Sequence, residues 1–265
     1  MNKTYSLTYT LLIFISVALF KGSTTITMAE NVMISSDIRG FSKVWLSSSS
    51  DVKISIGQNF SVVMTGDEEK IANTTLVRQR DTLIIKSNII KSKNKNHNYD
   101  RDQLMLVTIV MPNIEEMKIN GSGNVHITGV GSEELDLAIN GSGDISVQGQ
   151  SEGVDFAING SGDILMDKIN GKNVELAIHG SGNVTFGSGT CQSFKISIYG
   201  SGDVDADKVQ CIDVDVDILG SGDSSVYASN SINFDSPGSG RVDVFGKPKS
   251  VYDKKAKRKS SLIIH

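Results

Sequence analysis

Acidic and amide side chains recur at a fixed interval through the second half of this 265-residue chain. Each one directly follows a Gly-Ser-Gly triplet. The members are Asn124, Asp144, Asp163, Asn183, Asp203 and Asp223, with Arg241 in the last place. If the chain winds so that these positions stack, neighbouring carboxylates lie about 4.8 Å apart, the spacing of paired strands. Like charges at that distance repel each other, and a hard cation that takes oxygen ligands would relieve the repulsion.

Two interpretations of this column are open. Asp144, Asp163, Asp203 and Asp223 are weak candidates for calcium ligands, because glycine-rich solenoids with a nine-residue repeat bind calcium through such columns. The interval here is about 20 residues, and a second carboxylate in each turn is missing. The interpretation we adopt is that Asp and Asn bond to backbone amides of the turns. We therefore predict no cofactor, with calcium as the alternative, and interpret the acidic stretch 205–217 as a solvated face.

The two cysteines form the second constellation. Cys191 and Cys211 are 20 residues apart, and each follows the first glycine of its triplet by 11 positions. Stacking would make them neighbours on adjacent coils, within the Cα separation of about 4.4–6.8 Å that a disulfide needs. We predict a Cys191–Cys211 disulfide rather than two free thiols. A zinc site is disfavoured because two cysteines without a nearby histidine do not complete its ligand shell.

The sequence gives little indication of a catalytic site. Of the four histidines, His126 and His179 lie on outward positions three coils apart, so they cannot join one triad. Paired carboxylates for sugar hydrolysis are conceivable on an acidic solenoid face. Enzymes of that type need wider coils and a groove framed by long loops, whereas these coils are short. We predict a protein that is not an enzyme, with a polysaccharide-active β-helix enzyme as the alternative.

The elements that must position these residues follow from the repeat. The first glycine of each triplet stands at 121, 141, 160, 180, 200, 220 and 238. An interval of 18–20 residues is typical of stacked coils. In the five units that end at Gly141, Gly160, Gly180, Gly200 and Gly220, the residues two, four and six positions before that glycine are apolar, and the residues between them are polar or small. The columns are Ile139, Leu137, Leu135; Ile158, Phe156, Val154; Ile178, Leu176, Val174; Ile198, Ile196, Phe194; and Ile218, Val216, Val214.

Strict alternation predicts strands with one face inward and one to water. Apolar residues also stand four and six positions after each first glycine, with Ser224 as the exception. A single coil cannot cover its own inner face, so stacking must bury it, at about 25 cal/mol per Å² of apolar surface. The triplet is interpreted as a corner, where glycine permits sharp bends and close stacking. The outward column beside it holds Asn120, Asn140, Asn159, His179, Tyr199 and Leu219, which could contact a partner or a sugar.

Residues 30–113 have no repeat but alternate in the manner of strands, as in Val52–Ile56 and Phe60–Met64. They predict a β-sheet or sandwich-like N-terminal region. The polar stretch 91–103 is predicted to be a long exposed loop. The fold class is therefore all-β, with this region followed by a parallel β-solenoid of about 20-residue coils over 114–247.

These motifs resemble the head GIN domain family, whose members are described as autotransporter adhesin-like. The Ile-Asn-Gly-Ser-Gly-Asp/Asn units at 119–124, 139–144 and 158–163 carry the resemblance, with variants at 178–183, 198–203 and 218–223. It covers roughly 32–245. The resemblance implies the solenoid fold and an adhesin-like role, and it supplies no catalytic residues.

The N-terminal end of the chain indicates in which compartment the protein is located. Lys3, an apolar run over 11–20 and Thr27-Met28-Ala29 predict a secretory signal cleaved after Ala29, or alternatively a short uncleaved anchor. The run is too short to span a bilayer. An exported protein, periplasmic or at the cell surface, is expected in an oxidising space.

Charge is unevenly distributed along the chain. Residues 114–245 contain 20 acidic and 6 basic residues, a net charge of −14, which argues against nucleic acid as a partner. The stretch 248–265 is predicted to be a basic, disordered tail, with contacts to anionic polymers or lipid headgroups as an alternative. The sequence thus predicts an exported binding or scaffolding module for a cell-envelope polysaccharide or protein, with a calcium-stabilised structural module as a further alternative. It predicts no oligomeric state.

Overall fold

The computed structural model describes residues 31–87, 105–254 and 262–265. The predicted secretory signal and the predicted loop at 91–103 lie outside these residues. Parallel pairing dominates the described chain, which contains one short helix, α1 (Glu68–Ala72). The strands are β1 (Asn31–Ser36), β2 (Lys43–Ser47), β3 (Asp51–Ile56), β4 (Ser61–Asp67), β5 (Thr74–Gln79), β6 (Thr82–Ser87), β7 (Leu106–Met111), β8 (Glu116–Ile119), β9 (Val125–Gly141), β10 (Ile145–Gly160), β11 (Ile164–Gly180), β12 (Val184–Gly200), β13 (Val204–Gly220), β14 (Ser224–Asp235), β15 (Val242–Phe245), β16 (Ser250–Asp253) and β17 (Leu262–Ile264).

Strands β9 to β13 form the regular part of a parallel β-solenoid. Each runs for 16 or 17 residues, bends in its middle at what we call the return bend, and ends at a Gly-Ser-Gly corner. Successive strands pair in parallel and in register. Because each coil bends twice, it has two outer surfaces. We call the outer surface of the segments after a corner the front face, and that of the segments before a corner the back face.

The predicted inward columns form the core. Ile158 pairs with Ile139 on one side and with Ile178 on the other, and all three are fully buried. Phe186, from a segment after a corner, packs edge-on against Phe156 and Phe194, from segments before a corner, with ring centroids 5.1 and 5.6 Å apart. The two segments of each coil therefore pack against each other across a shared core. The predicted fold class is confirmed.

The corners are crowded because the backbones of adjacent coils approach closely there. The N–H of Ser201, in the middle of its triplet, donates to the carbonyl oxygen of Gly180 at 2.9 Å, and every corner from Ser142 to Ser239 has this bond. Gly180 and Gly200 have φ of +142° and +148°, a region that side chains disfavour. A Cβ on Gly200 would overlap the carbonyl oxygen of Gly180. The corner thus requires glycine for both backbone angle and space.

The N-terminal region is wound into the same solenoid. Strand β2 pairs in parallel with β6 on one side and β8 on the other, and β3 pairs in the same way with β7 and β9. The coil made by β2 and β3 therefore lies between the later coil β6–β7 and the repeat coils. This order places residues 73 positions apart in sequence, such as Val52 and Val125, side by side.

Antiparallel strands cover the first end of the rod. Strand β4 pairs with β7, β1 pairs with β4, and β5 pairs with β6, all antiparallel. The helix α1 packs on these strands and buries Ile71. Asp67 caps the helix, accepting hydrogen bonds from the N–H groups of Glu69 and Lys70. These elements together form a cap, because they end the parallel stacking.

The last part of the chain departs from the prediction of a disordered tail. Strand β16 pairs in parallel with residues 231–234 of β14, and β17 pairs with β15. The prediction of disorder is wrong for these residues, because they continue the two segments of the solenoid by a further coil. Residues 255–261 lie outside the described part of the chain.

The predicted disulfide between Cys191 and Cys211 is present, with the two Cα atoms 4.4 Å apart. The residues pair directly in β12 and β13, at the return bend, and both are buried. The bond links adjacent coils and follows directly from their 20-residue separation.

We expect Gly200→Ala to lower the free energy of unfolding by about 2–4 kcal/mol, because it strains the backbone and displaces the carbonyl group of Gly180. Gly131→Ala is the matched control, since a Cβ there meets no atom within 4 Å, and it should change stability by less than about 0.5 kcal/mol. Urea denaturation measures both. Equal midpoints for the two variants would contradict the role given to the corner.

Reducing the Cys191–Cys211 bond should lower the free energy of unfolding by about 3 kcal/mol, the chain-entropy value for a loop of this length. The measurement is denaturation with and without reductant. The double variant Cys191→Ser/Cys211→Ser is the control and should not respond to reductant. Mass analysis showing two free thiols in protein purified without reductant would refute the assignment.

Candidate functional site

The column of Asp and Asn residues after the corners is a hydrogen-bonded ladder. The side-chain Oδ1 of Asp144 accepts a bond from the backbone N–H of Asp163 at 2.8 Å, and Oδ1 of Asp163 accepts from the N–H of Asn183 at 2.7 Å. The same bond joins every successive pair from Asn124 to Arg241. Each side chain therefore satisfies a backbone donor of the next coil, as the adopted interpretation of the sequence required.

The ladder accounts for one carboxylate oxygen of each candidate calcium ligand. Oδ1 of Asp144, Asp163, Asp203 and Asp223 is engaged by the next coil, and all four side chains are exposed or half-exposed. At the last step Arg241 carries a guanidinium 3.4 Å from Asp223 and 3.0 Å from Asp243. Within the described ranges, no group of three or more potential ligands gathers around one point. Calcium binding by this column stays a prediction.

Sequence reasoning missed the first member of the ladder. The N–H of Asn124 donates to Oδ1 of Asp51 at 3.0 Å. Asp51 follows Ser48-Ser49-Ser50, which occupies the place of the Gly-Ser-Gly corner, and the N–H of Gly123 bonds the carbonyl of Ser48. The shared pattern of a small triplet followed by Asp was a usable signal. It was hidden because serine replaces both glycines.

The column before the corners, on the back face, is a second ladder, which we call the ridge: Asn120, Asn140, Asn159, His179, Tyr199 and Leu219. The Nδ2 of Asn140 donates to Oδ1 of Asn120 at 2.9 Å, and Asn159 donates to Asn140 at 3.0 Å. The rings of His179 and Tyr199 stack, with centroids 4.8 Å apart and planes 9° apart. Tyr199 is 46% exposed and Leu219 56%. The ridge therefore offers amide, imidazole and phenol groups in a line that ends in an apolar side chain.

Small residues lie beside the ridge on the same face. The adjacent outward column contains Ala138, Ala157, Ala177 and Ser197, all half-buried. Trp45 and Lys118 continue this column toward the cap, with the ammonium 5.6 Å from the indole ring centre, and the indole Nε1 donates to Glu116 at 2.7 Å. The small side chains make a shallow strip along the rod axis, with the ridge as one border.

Carboxylates form the other border of the strip. Glu116, Asp136, Asp155 and Glu175 follow one another in register on adjacent coils. Partial burial, and then the charges of Asp155 and Glu116, raise the pKa of Asp136 above its usual value. Partial burial, and then the charge of Glu175, raise the pKa of Asp155 in the same direction. The column is thus a line of mutually repelling charges on a solvent-facing surface.

The histidines do not meet. His126 lies on the front face beside Lys53, His179 belongs to the ridge, and His265 contacts Asp243 at 2.9 Å near the far end. His97 lies outside the described residues. The described histidines are therefore too widely separated to act in one site.

Two depressions on the described surface are candidate sites for a small ligand. One of about 170 Å³ at the return bends is lined by Glu133 and Glu152 among others, and one of about 390 Å³ lies beside Tyr227, Lys247 and His265. The first is smaller than the pockets of roughly 300–1,000 Å³ that hold small ligands, and the second lies at the lower end of that range. None of the helices in the described ranges has the length and apolar character needed to cross a bilayer.

We expect Asp155→Asn to stabilise the protein at neutral pH by about 0.2–1 kcal/mol, because it removes a charge that is partly buried and that faces Glu175. A raised folded-state pKa means that stability falls as pH rises from the ordinary value of 3.8 through the folded value. The gain should therefore be full above that window and vanish below pH 3.8. Thermal unfolding across pH measures it, with Asp37→Asn at an exposed position as control. A gain that persists at low pH would contradict the electrostatic cause.

Several solved structures share this architecture. A "putative lipid binding protein" from Parabacteroides distasonis is 22% identical, with 89% of this chain and 96% of that chain covered and a TM-score of 0.75. A "putative adhesin" from Parabacteroides merdae is 17% identical, covers 88% and 93%, and has a TM-score of 0.76. A "putative adhesin" from Bacteroides fragilis is 18% identical, covers 89% and 97%, and has a TM-score of 0.58. At these identities the likeness establishes the fold.

No curated protein matches this sequence. The family model described as "Putative auto-transporter adhesin, head GIN domain" matches residues 40–248, which is most of the chain and includes the corners, the ladders and much of the cap. The family resemblance of the repeated Gly-Ser-Gly units is thereby confirmed. The chain belongs to the head GIN domain family.

Proposed function

We propose that this protein is an exported, adhesin-like module that binds a cell-envelope polysaccharide through the ridge and the strip beside it. The observation that carries the proposal is the ridge itself. Its hydrogen-bonding groups are held in line by inter-coil bonds between Asn120, Asn140 and Asn159 and by the stack of His179 on Tyr199. A surface fixed in this way loses little conformational entropy on binding, so its contacts favour affinity.

The chemistry of the back face suits a chain of sugars. Amide, imidazole, phenol and carboxylate groups all bond to hydroxyl groups. The amides and the carboxylates recur along the rod axis at the coil spacing, and the ridge adds one imidazole and one phenol. The half-buried alanines between the two borders leave a shallow, elongated surface instead of an enclosed pocket. An extended polymer can contact many coils of such a surface at once. A protein partner is the second candidate, since Tyr199 and Leu219 expose apolar area.

Export is supported by two observations. The first 29 residues have the order of a secretory signal. The Cys191–Cys211 disulfide is typical of proteins in an oxidising compartment. The adhesin-like description of the family is consistent with both.

The arrangement of carboxylates favours binding over hydrolysis. Asp136, Asp155 and Glu175 lie side by side in one column, whereas hydrolysis of a glycosidic bond uses two carboxyl groups that flank it. The depression lined by Glu133 and Glu152 brings two carboxylates together, so it is the place at which to test for hydrolysis. Incubating any bound glycan with the protein and with Glu152→Gln, and measuring new reducing ends, tests this alternative.

We expect binding to envelope polysaccharides on a glycan array, and Tyr199→Ala should weaken it at least about tenfold, because tyrosine supplies both contact area and a hydroxyl group. Leu165→Ala is the matched control, since Leu165 is 47% exposed on the front face. Unchanged affinity in Tyr199→Ala, or an equal loss in the control, would refute the ridge as the binding surface.

A further inference from the structure

Exposed apolar side chains are concentrated at one end of the rod. Nine large hydrophobic residues of the described chain are exposed, and seven of them follow residue 198. They are Tyr199, Ile212, Leu219, Val251, Tyr252, Ile263 and Ile264. Met33 and Leu165 are the other two. Scattered exposed residues need no explanation, but a concentration at one end marks an interaction surface.

The two ends of the core differ. At the capped end, the inward residues of the coil β6–β7, such as Leu83 and Val107, are 0% exposed. At the other end, Val251 continues the inward column of Ile232 and Ile264 continues that of Val244. These two side chains are nevertheless 45% and 50% exposed. In the described residues the core is closed by the cap at one end and open at the other.

Charge changes sign at the open end. The described residues 246–254 contain three lysines and one carboxylate, whereas residues 114–245 have a net charge of −14. Lys247, Lys249 and Lys254 are exposed there, and Lys254 lies 3.5 Å from Asp235. Asp243 is occupied by Arg241 and His265. Exposed apolar groups therefore share one end of an acidic rod with Lys247 and Lys249, which form no ion pair among the described residues.

We infer that this end docks onto an anionic lipid bilayer. The docking surface, which we call the tip, consists of Lys247, Lys249, Val251, Tyr252, Ile263 and Ile264. The apolar side chains enter the interface between headgroups and acyl chains, where tyrosine is also favoured, and the lysines bind anionic headgroups. The acidic body is repelled by the same surface. The rod consequently stands end-on, so that the ridge, which runs along the rod axis, extends away from the membrane.

A lipid surface fits the tip better than the other occupants do. A second copy docked tip to tip would place lysines opposite lysines, which costs free energy. A soluble anionic polymer would neutralise the lysines but would leave Val251 and Ile264 exposed to water. A bilayer supplies both the negative charge and the apolar phase.

Flotation with vesicles tests the inference. The protein should float with vesicles of phosphatidylcholine and phosphatidylglycerol, not with vesicles of phosphatidylcholine alone, and added salt should weaken binding. Lys247→Gln/Lys249→Gln should lower the affinity about 30-fold, and Tyr252→Ser/Ile264→Ser should abolish flotation. Lys53→Gln and Met33→Ser are the matched controls, because they alter an exposed cation and an exposed apolar residue away from the tip. Thermal unfolding of every variant excludes loss of fold as the cause.

Four outcomes would overturn the inference. One is no flotation with anionic vesicles, and another is equal flotation with neutral ones. A third is soluble dextran sulfate binding as tightly as the vesicles do, with no effect of Tyr252→Ser/Ile264→Ser. The last is a stable dimer in light scattering that dissociates on Tyr252→Ser, which would show that the tip binds a second copy.

Discussion

The structure depends on one constraint, the inter-coil spacing of about 4.8 Å that backbone hydrogen bonding imposes. At the corners this spacing brings the carbonyl oxygen of one coil into the space that a Cβ of the next would occupy, so glycine recurs at Gly180, Gly200 and Gly220. Along the strands the same spacing lets Ile139, Ile158 and Ile178 cover each other completely. The apolar ladders and the corner motif are thus two consequences of one repeat distance.

The same spacing shapes the surface, because it places side chains of one position in contact with their counterparts above and below. Polar groups that can both donate and accept form hydrogen bonds with their counterparts on the adjacent coils, as the amide groups of the ridge do. Carboxylates are stabilised when they accept a hydrogen bond from a backbone N–H of the next coil, as in the ladder that begins at Asp51. They are penalised where they are partly buried beside one another, and the raised pKa values of Asp136 and Asp155 result from that burial and repulsion. The retained repulsion on the back face is consistent with a surface selected for binding rather than for stability.

A stacked fold must also end. The first end is closed by antiparallel strands and α1, which bury the inward residues of the coil β6–β7. Antiparallel pairing stops the propagation of parallel coils and so protects the edge. The other end keeps its inward residues exposed in the described chain and carries the opposite charge. The two ends of the rod therefore differ in exposed apolar surface and in charge.

The sequence by itself determined the coil length, the inward columns, the corners and the Cys191–Cys211 contact, because each follows from a local alternation repeated at a nearly constant interval. It also located the ridge and the column of Asp and Asn residues, though not the backbone donors that those side chains engage. Only the tertiary structure decided that β2 and β3 lie between β6–β7 and β8–β9, that Ser48–Ser50 replaces a glycine corner, and that β16 and β17 extend the rod instead of forming a disordered tail. The physical reason is the range of the contacts. Residues 20 positions apart carry the same motif, so their pairing can be predicted from the sequence. Residues 73 positions apart pair through backbone groups that every sequence has, so their pairing is determined only by the folded structure.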